Sequence, residues 1–321
     1  MKIVKPSYYK DFKCIAGECP DSCCQGWEVD ADEESLNYYS TLSDSLEIKR
    51  RIDSVLDKDE FGNTIFRLAQ KKRCPFLNSE NLCDMHIAIG GEHTPFTCRT
   101  FPRFIYDFGG IREIGISFSC PVASEMMYSL ERWEFEEEMN SDLPTLNDID
   151  PVSYILVRRN REAVFKIIQN REYTVSERLI QLLDACDDAG WFDEKLKDSI
   201  SFWDVFRNPE LINPEWEARL DNACEKPIEN SVANENIAMY FIYKYLLTSV
   251  IDDSLTPLMA VKMAVVGVLI HTYFGEDSWG IHLWSKETEH SQYNMDRYKR
   301  LLREAQCLSV ESLKARISAG K

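Results

Sequence analysis

Cys14-Ile-Ala-Gly-Glu-Cys19-Pro-Asp-Ser-Cys23-Cys24 puts four thiols within eleven residues, and Cys74, Cys83, Cys98 and Cys120 follow. Eight of the chain's eleven cysteines thus fall in its first 120 residues. Thiols gathered this densely are either oxidised in pairs or ligated to metal. The chain opens Met1-Lys2-Ile3-Val4-Lys5-Pro6, without a basic-apolar leader pattern. At 321 residues it is long enough to bury a sizeable core without disulfide staples. An odd cysteine count would leave at least one thiol over in an oxidised framework. We therefore expect a soluble, cytoplasmic protein whose clustered thiols hold metal.

The spacing narrows the metal chemistry without fixing it. Cys-x4-Cys-x3-Cys-Cys is not the repeated Cys-x2-Cys of a zinc knuckle. Adjacent Cys23 and Cys24 point in different directions and would not easily ligate one ion together. Eight thiols suffice for two four-cysteine sites, or for one [4Fe–4S] cluster with four thiols over; zinc is the alternative. Cys74-Pro75-Phe76-Leu77 and Leu82-Cys83-Asp84-Met85-His86 flank a polar turn, Asn78 to Asn81, and Cys98-Arg99-Thr100-Phe101-Pro102-Arg103 sets two cations beside a thiolate. Such cations, with backbone amides, stabilise a thiolate cluster and adjust its potential. His86 and His93 could substitute as ligands, but with thiols in excess each is expected to be structural or on the surface.

Working outward, Asp32 to Leu56 has helical character. Phe104 to Phe108 and Ile111 to Phe118 are β-prone runs joined by Gly109-Gly110, the chemistry of a tight hairpin. That hairpin is expected to bring Cys98 and Cys120 close together. Past residue 130 the periodicities are helical, over 152–170, 176–189, 235–250, 256–274 and 296–318, with 235–250 and 256–274 apolar enough to be central helices. The fold class expected is mainly α. A Cys-rich metal-binding part with a small β-hairpin (1–130) would be followed by an acidic linker (131–150) and an α-helical bundle (151–321). The apolar run Leu258 to Phe274 is interrupted by Lys262 and His271, so no transmembrane segment is expected. With 54 acidic against 37 basic residues the formal charge is −17. That excludes nonspecific nucleic-acid or anionic-lipid affinity and favours a cationic partner surface.

Tyr8-Tyr9-Lys-Asp-Phe12-Lys-Cys14, Cys19-Pro-Asp-Ser-Cys23-Cys24-Gln-Gly-Trp27, Cys74-Pro-Phe-Leu, Cys98-Arg-Thr-Phe-Pro-Arg103 and Ser119-Cys120-Pro121 together resemble the flagellin lysine-N-methylase family. That family is related to a wider group of Cys-rich zinc- or iron-chelating domains. The resemblance covers residues 1 to about 130. It implies an S-adenosylmethionine-dependent protein-lysine N-methyltransferase, acting on flagellin or another lysine-bearing protein with a [4Fe–4S] cluster involved. The same residues also allow a non-enzymatic Cys-rich module for protein interaction or metal handling.

Neither common S-adenosylmethionine site is visible. No Gly-x-Gly follows a strand, and where Cys-x3-Cys-x2-Cys would need a third cysteine after Cys19 and Cys23, Gly26 stands. Polar transfer requires the lysine to lose its proton, and aromatic faces favour a sulfonium cation. Tyr8, Tyr9, Trp27 and Tyr106 are candidates for those faces, and Arg99 or Arg103 for a carboxylate clamp or a partner of Asp84. The candidate metal ligands are Cys14, Cys19, Cys23, Cys24, Cys74, Cys83, Cys98 and Cys120. Cys186, Cys224 and Cys307 are assigned to packing or surface.

Overall fold

A computed structural model of the chain describes residues 1–59, 62–141, 149–207 and 210–319. The mainly α expectation holds: helices dominate, and two small sheets accompany them. The chain divides into two compact units. One is helical (Met1–Phe12, Ile105–Ser119 and Ala123–Lys321); the other carries the cysteines (Lys13–Phe104 and Cys120–Val122).

In the helical unit the backbone begins as a strand, β1 (Lys2–Pro6). In the cysteine unit β2 (Val29–Asp30), β3 (Leu56–Lys58) and β4 (Thr64–Phe66) form a sheet in the order β2-β4-β3. The expected hairpin is present as neighbouring strands β5 (Arg103–Phe108) and β6 (Ile111–Ile116), and Gly109 at their turn takes the left-handed φ of 61°. The four-stranded sheet runs β5-β6-β1-β7, with β1 parallel to β6 (Ile3 beside Arg112) and antiparallel to β7 (Phe135–Met139; Val4 beside Glu137).

These pairings draw the units differently from 1–130, 131–150 and 151–321. The first twelve residues and the hairpin belong to a sheet of the helical unit. Residues 135–139, read as helix end and linker, are strand β7. Glu136, Glu137 and Glu138 there meet Lys10, Lys2 and Lys5 at 2.9, 2.5 and 2.8 Å, so the acidic run is neutralised in place. Residues 142–148 of the linker lie outside the described residues.

The helical unit is built on Val232–Tyr245 and Pro257–Tyr273, both buried on nearly every side. Their starts are fixed by Ser231 and Thr256, whose hydroxyls accept the N–H of Asn234 and Met259, and Pro257 stands where a helix needs no donor. Gly267 lets them approach: a Cβ there would lie 2.6 Å from the Phe241 ring. Around them pack Pro151–Ile168, Val175–Asp188, Ser278–Glu289, Gln292–Glu304 and Val310–Ala319. The 296–318 periodicity is two helices, not one, because the chain turns at Gln306–Leu308. Likewise 32–56 splits into Glu33–Thr41 and Glu47–Val55.

Candidate metal centre

The cysteine unit has a core of Val29, Ala31, Tyr39, Ile48, Ile52, Phe66, Phe76 and Met85, and one wall of it is hollow. The hollow is a cavity of about 120 Å³, and Cys23, Cys24, Cys74, Cys83 and Cys98 all line it. Phe66, Phe76, Met85, Trp27 and Phe101 supply its apolar faces, and His86 borders it.

Each thiol arrives by a local device. The Cys23–Cys24 loop is stitched to the residues before Cys74: Gly26 N–H donates to Lys72 O at 2.9 Å, and Cys74 N–H donates to Cys24 O at 2.8 Å. Gly26 sits at φ 108°, in the region open to glycine, where position 26 would otherwise have been a third cysteine of the spaced motif. The Cys74-Pro-Phe-Leu turn closes through Leu77 N–H to Cys74 O, and Asp84 N–H to Phe76 O returns the chain so that Cys83 reaches the same wall. Asn78 organises that loop: its side-chain oxygen accepts from the N–H groups of Glu80 and Leu82, and its amide donates to Asp84 at 3.0 Å. Cys83 caps the helix Asp84–Ile89, its sulfur accepting from His86 N–H at 3.4 Å. Cys98 rides on the short helix Phe96–Thr100, whose first N–H donates to Asp32 at 2.6 Å.

Arg51 braces the limb that carries two of the thiols. Its guanidinium donates to Pro75 O and to Asp84, both at 2.7 Å, and lies 5.5 Å from the centre of the Phe76 ring. Asp84 is therefore the partner of Arg51, and neither Arg99 nor Arg103 fills that role. Arg99 donates to Glu92 O and Glu34 at 2.7 and 3.0 Å, so its cation is committed away from the thiols. Arg103 is half-buried at the start of β5.

Burial and their neighbours shift the thiols in different directions. The Cys23 thiol donates to the Cys24 sulfur, which with burial pushes Cys23 far up. The same bond draws Cys24 down to about 7 against its burial, helped by the Ser22 hydroxyl and the Arg73 charge. Burial pushes Cys74 up to about 12 and raises Cys83. Cys98, although exposed as a residue, has its thiol raised by burial and then by Cys24, Cys74 and Cys83. A bound cation reverses this logic, because thiolate is the ligand form.

Of the other sequence candidates, Trp27 and His86 also line the cavity and the rest do not. Cys14 is exposed, its sulfur accepting from Ala16 N–H at 3.4 Å, though near enough for its charge to act on Cys23. Cys19 donates to Asp21 O at 3.3 Å, and buried Cys120 is not in the cavity wall, so the structure does not bring Cys98 and Cys120 together there. Trp27 lines the cavity and packs on Phe101 at 5.7 Å. Tyr8 belongs to the helical unit, buried against Trp133 with its hydroxyl on the Met127 sulfur. Tyr9 and Tyr106 belong to that unit too. His93 stacks on Tyr38 at 3.6 Å. Cys186 is buried, its thiol on Leu182 O, while Cys224 is exposed and Cys307 half-buried. Sequence reading missed Arg51, Arg73 and Asn78. Arg73 was signalled by standing beside Cys74, whereas nothing local ties Arg51 to a turn 24 residues away.

No three His, Cys, Asp or Glu side chains among the described residues are disposed around a single ion position. The fit to a metal group rests on the donor set, five cysteines that line one cavity of about 120 Å³.

The chain is 23% identical over 122 residues, 37% of its length, to a flagellar biosynthetic protein FliU of Salmonella muenchen, of which the match spans 72%. At the same identity and length it is similar to proteins named lysine-N-methylase from Salmonella choleraesuis and Salmonella typhimurium, of which it spans 30%. These are distant, partial likenesses at the level of a family resemblance. No family model matches the chain, and no solved structure does. No helix among the described residues is long and apolar enough to cross a membrane.

Proposed function

We propose that this protein is an S-adenosylmethionine-dependent protein-lysine N-methyltransferase whose cysteine unit holds a [4Fe–4S] cluster, with flagellin as the protein substrate. The observation that supports the metal half is that five cysteines line one cavity; the methylase half is supported by the names of the distant relatives. Cys23, Cys24, Cys74, Cys83 and Cys98 are the residues that would hold the cluster, which needs at most four of them. When bound, such a group supplies charge stabilisation and electron transfer.

The chain's own contribution is more closely defined. Phe66, Phe76 and Met85 give the thiol cavity apolar faces, and Arg51 and Asn78 hold the Cys74 and Cys83 limbs in place. Trp27 offers an aromatic face beside the thiols. For transfer to a lysine, the ammonium must first shed its proton, since only the neutral nitrogen has a lone pair for the methyl carbon. The N–C bond then forms as the sulfonium C–S bond breaks, and S-adenosylhomocysteine departs.

The deciding experiment is mass spectrometry of flagellin incubated with anaerobically purified protein and S-adenosylmethionine, with and without a reductant. Methyl mass gained on lysines is expected. Brown protein with broad visible absorption would accompany it. Colourless protein with stoichiometric zinc and no methyl gain in either redox condition would replace this reading with the non-enzymatic metal module.

A further inference from the structure

Within the helical unit lies a cleft of about 710 Å³, inside the roughly 300–1,000 Å³ span of ligand sites. It runs between the end of helix Val175–Asp188, the irregular segment Trp191 to Lys195, and the start of helix Val310–Ala319. Its walls combine two aromatic rings with carboxylates. Trp191 is half-buried, and Phe192 is 72% exposed, so its ring face is open to a ligand.

The carboxylates divide into two kinds. Glu194 and Asp193 are already used: Glu194 pairs with buried Lys262 at 2.5 Å and accepts Val310 N–H at 2.9 Å, and Asp193 pairs with Arg303 at 2.5 Å. They fix the floor and tie the irregular segment to two helices. Asp187 and Glu311 line the same cleft with no side-chain hydrogen bond or ion pair to any described residue. Of the two lysines at the rim, Lys314 is taken by Asp184 at 2.5 Å, and Lys195 is exposed.

We infer that this cleft docks a lysine-bearing segment of the protein substrate. This deepens the methyltransferase reading and rests on it, since that activity requires a partner that presents lysines. The chemistry matches side chain to wall. A lysine's four-carbon stem packs on apolar surface while its ammonium seeks an aromatic face or a carboxylate, and Phe192, Trp191, Asp187 and Glu311 offer these together. The formal charge of −17 draws such a segment in over a longer range.

Fluorescence anisotropy of a fluorescein-labelled lysine-rich peptide, with its fully Nε-acetylated twin as control, tests the inference on the full-length protein. Acetylation is expected to weaken binding by about tenfold or more, and added salt to weaken the unmodified peptide only. Asp187→Asn with Glu311→Gln, and separately Phe192→Ala, should each cost roughly five- to tenfold in affinity with an unchanged melting temperature. Equal binding of the acetylated twin, or full binding by both variants, would overturn the inference. Flagellin methylation separates the two claims. An unchanged KM for flagellin in Asp187→Asn/Glu311→Gln sinks the docking cleft and leaves the activity standing. Cleft-dependent peptide binding without methylation of any lysine sinks the activity and leaves the cleft as a lysine-binding site.

Discussion

The two units handle buried polar groups in opposite ways. In the helical unit, Glu289 is sealed in the core with a 2% exposed side chain, and five groups point at it: the hydroxyls of Ser117, Tyr240, Tyr245 and Ser285 at 2.5 to 3.1 Å, and the Lys244 ammonium at 2.9 Å. Burial alone would raise this carboxyl. The Lys244 charge and the donors more than offset it, and the net shift is downward. In the cysteine unit five cysteines line one cavity, and burial and mutual repulsion raise most of their thiols. One unit brings its own counter-charges. The other gathers five thiols around one cavity, where burial and their mutual repulsion disfavour the thiolate form.

The largest expected effect follows from that contrast. Removing metal by anaerobic chelation should speed hydrogen exchange across residues 29–104 and leave the helices Val232–Tyr245 and Pro257–Tyr273 slow, because metal-binding free energy is folding free energy where a site organises a small core. Cys74→Ser and Cys98→Ser should each lower bound metal sharply, whereas serine at Cys186, Cys224 or Cys307 should leave metal content unchanged. If the helical core loosened equally on chelation, or metal content survived both substitutions in the wall, the contrast between the units would fail.

Next comes the hub itself. Glu289→Ala would leave the Lys244 ammonium and two tyrosine hydroxyls without their shared acceptor, at a cost of about 3–5 kcal/mol in chemical denaturation. Adding Lys244→Met to a Glu289→Leu change should recover much of that, since apolar groups often replace a buried pair at little net cost. Bound metal should not change in either variant. A loss of metal from the hub variants would show that the units are energetically one.

Much of this contrast is legible in the sequence, but unequally. The hairpin announces itself through Gly109-Gly110, and the two core helices through apolar residues on every face of 235–250 and 256–274. Thiol density marked the cysteine unit, yet only five of the eight candidates share the wall, because spacing along a chain does not tell which limb folds inward. Cys14 and Cys19 sit in a loop that bonds to itself. Strand β7 was hidden because Glu136, Glu137 and Glu138 read as a solvated run until Lys2, Lys5 and Lys10, more than 120 residues earlier, are laid beside them. The cationic bracket was misplaced for the same reason: Arg99 is the near neighbour of Cys98, whereas Arg51 holds the site through contacts 24 and 33 residues away that sequence distance conceals.

Acid should separate the units again. Burial pushes His271 down to about 4, with Asp277 raising it and Lys226 lowering it by smaller amounts, and burial likewise pushes His290 down to about 3. A histidine depressed in the folded state is protonated first in the unfolded chain, so its contribution is complete above the ordinary value of about 6.5 and is lost as pH falls towards the folded value. For His271 the loss between about pH 6.5 and 4 amounts to roughly 3 kcal/mol at most. Urea midpoints followed by tryptophan fluorescence should fall across that window, and His271→Leu should flatten the fall. A wild-type midpoint independent of pH from 7 to about 4.5 would contradict the buried neutral histidines.

The smallest effect tests how tightly the self-sufficient unit is packed. Gly267→Ala would ordinarily strengthen a helix interior by up to about 1 kcal/mol. Here the new methyl would fall 2.6 and 2.8 Å from two carbons of the Phe241 ring and 3.3 Å from Ile237. Phe241 is itself fully buried against Trp284 and Tyr240, at ring distances of 4.7 and 4.8 Å, so it has little room to retreat. Overpacking of this kind costs about 1–3 kcal/mol, so the net change should be a modest destabilisation rather than a gain. Gly267→Ala combined with Phe241→Leu should be milder than the sum of the two, because the smaller side chain opens space for the methyl. A melting temperature raised by Gly267→Ala alone would mean that the two helices slide apart at no cost.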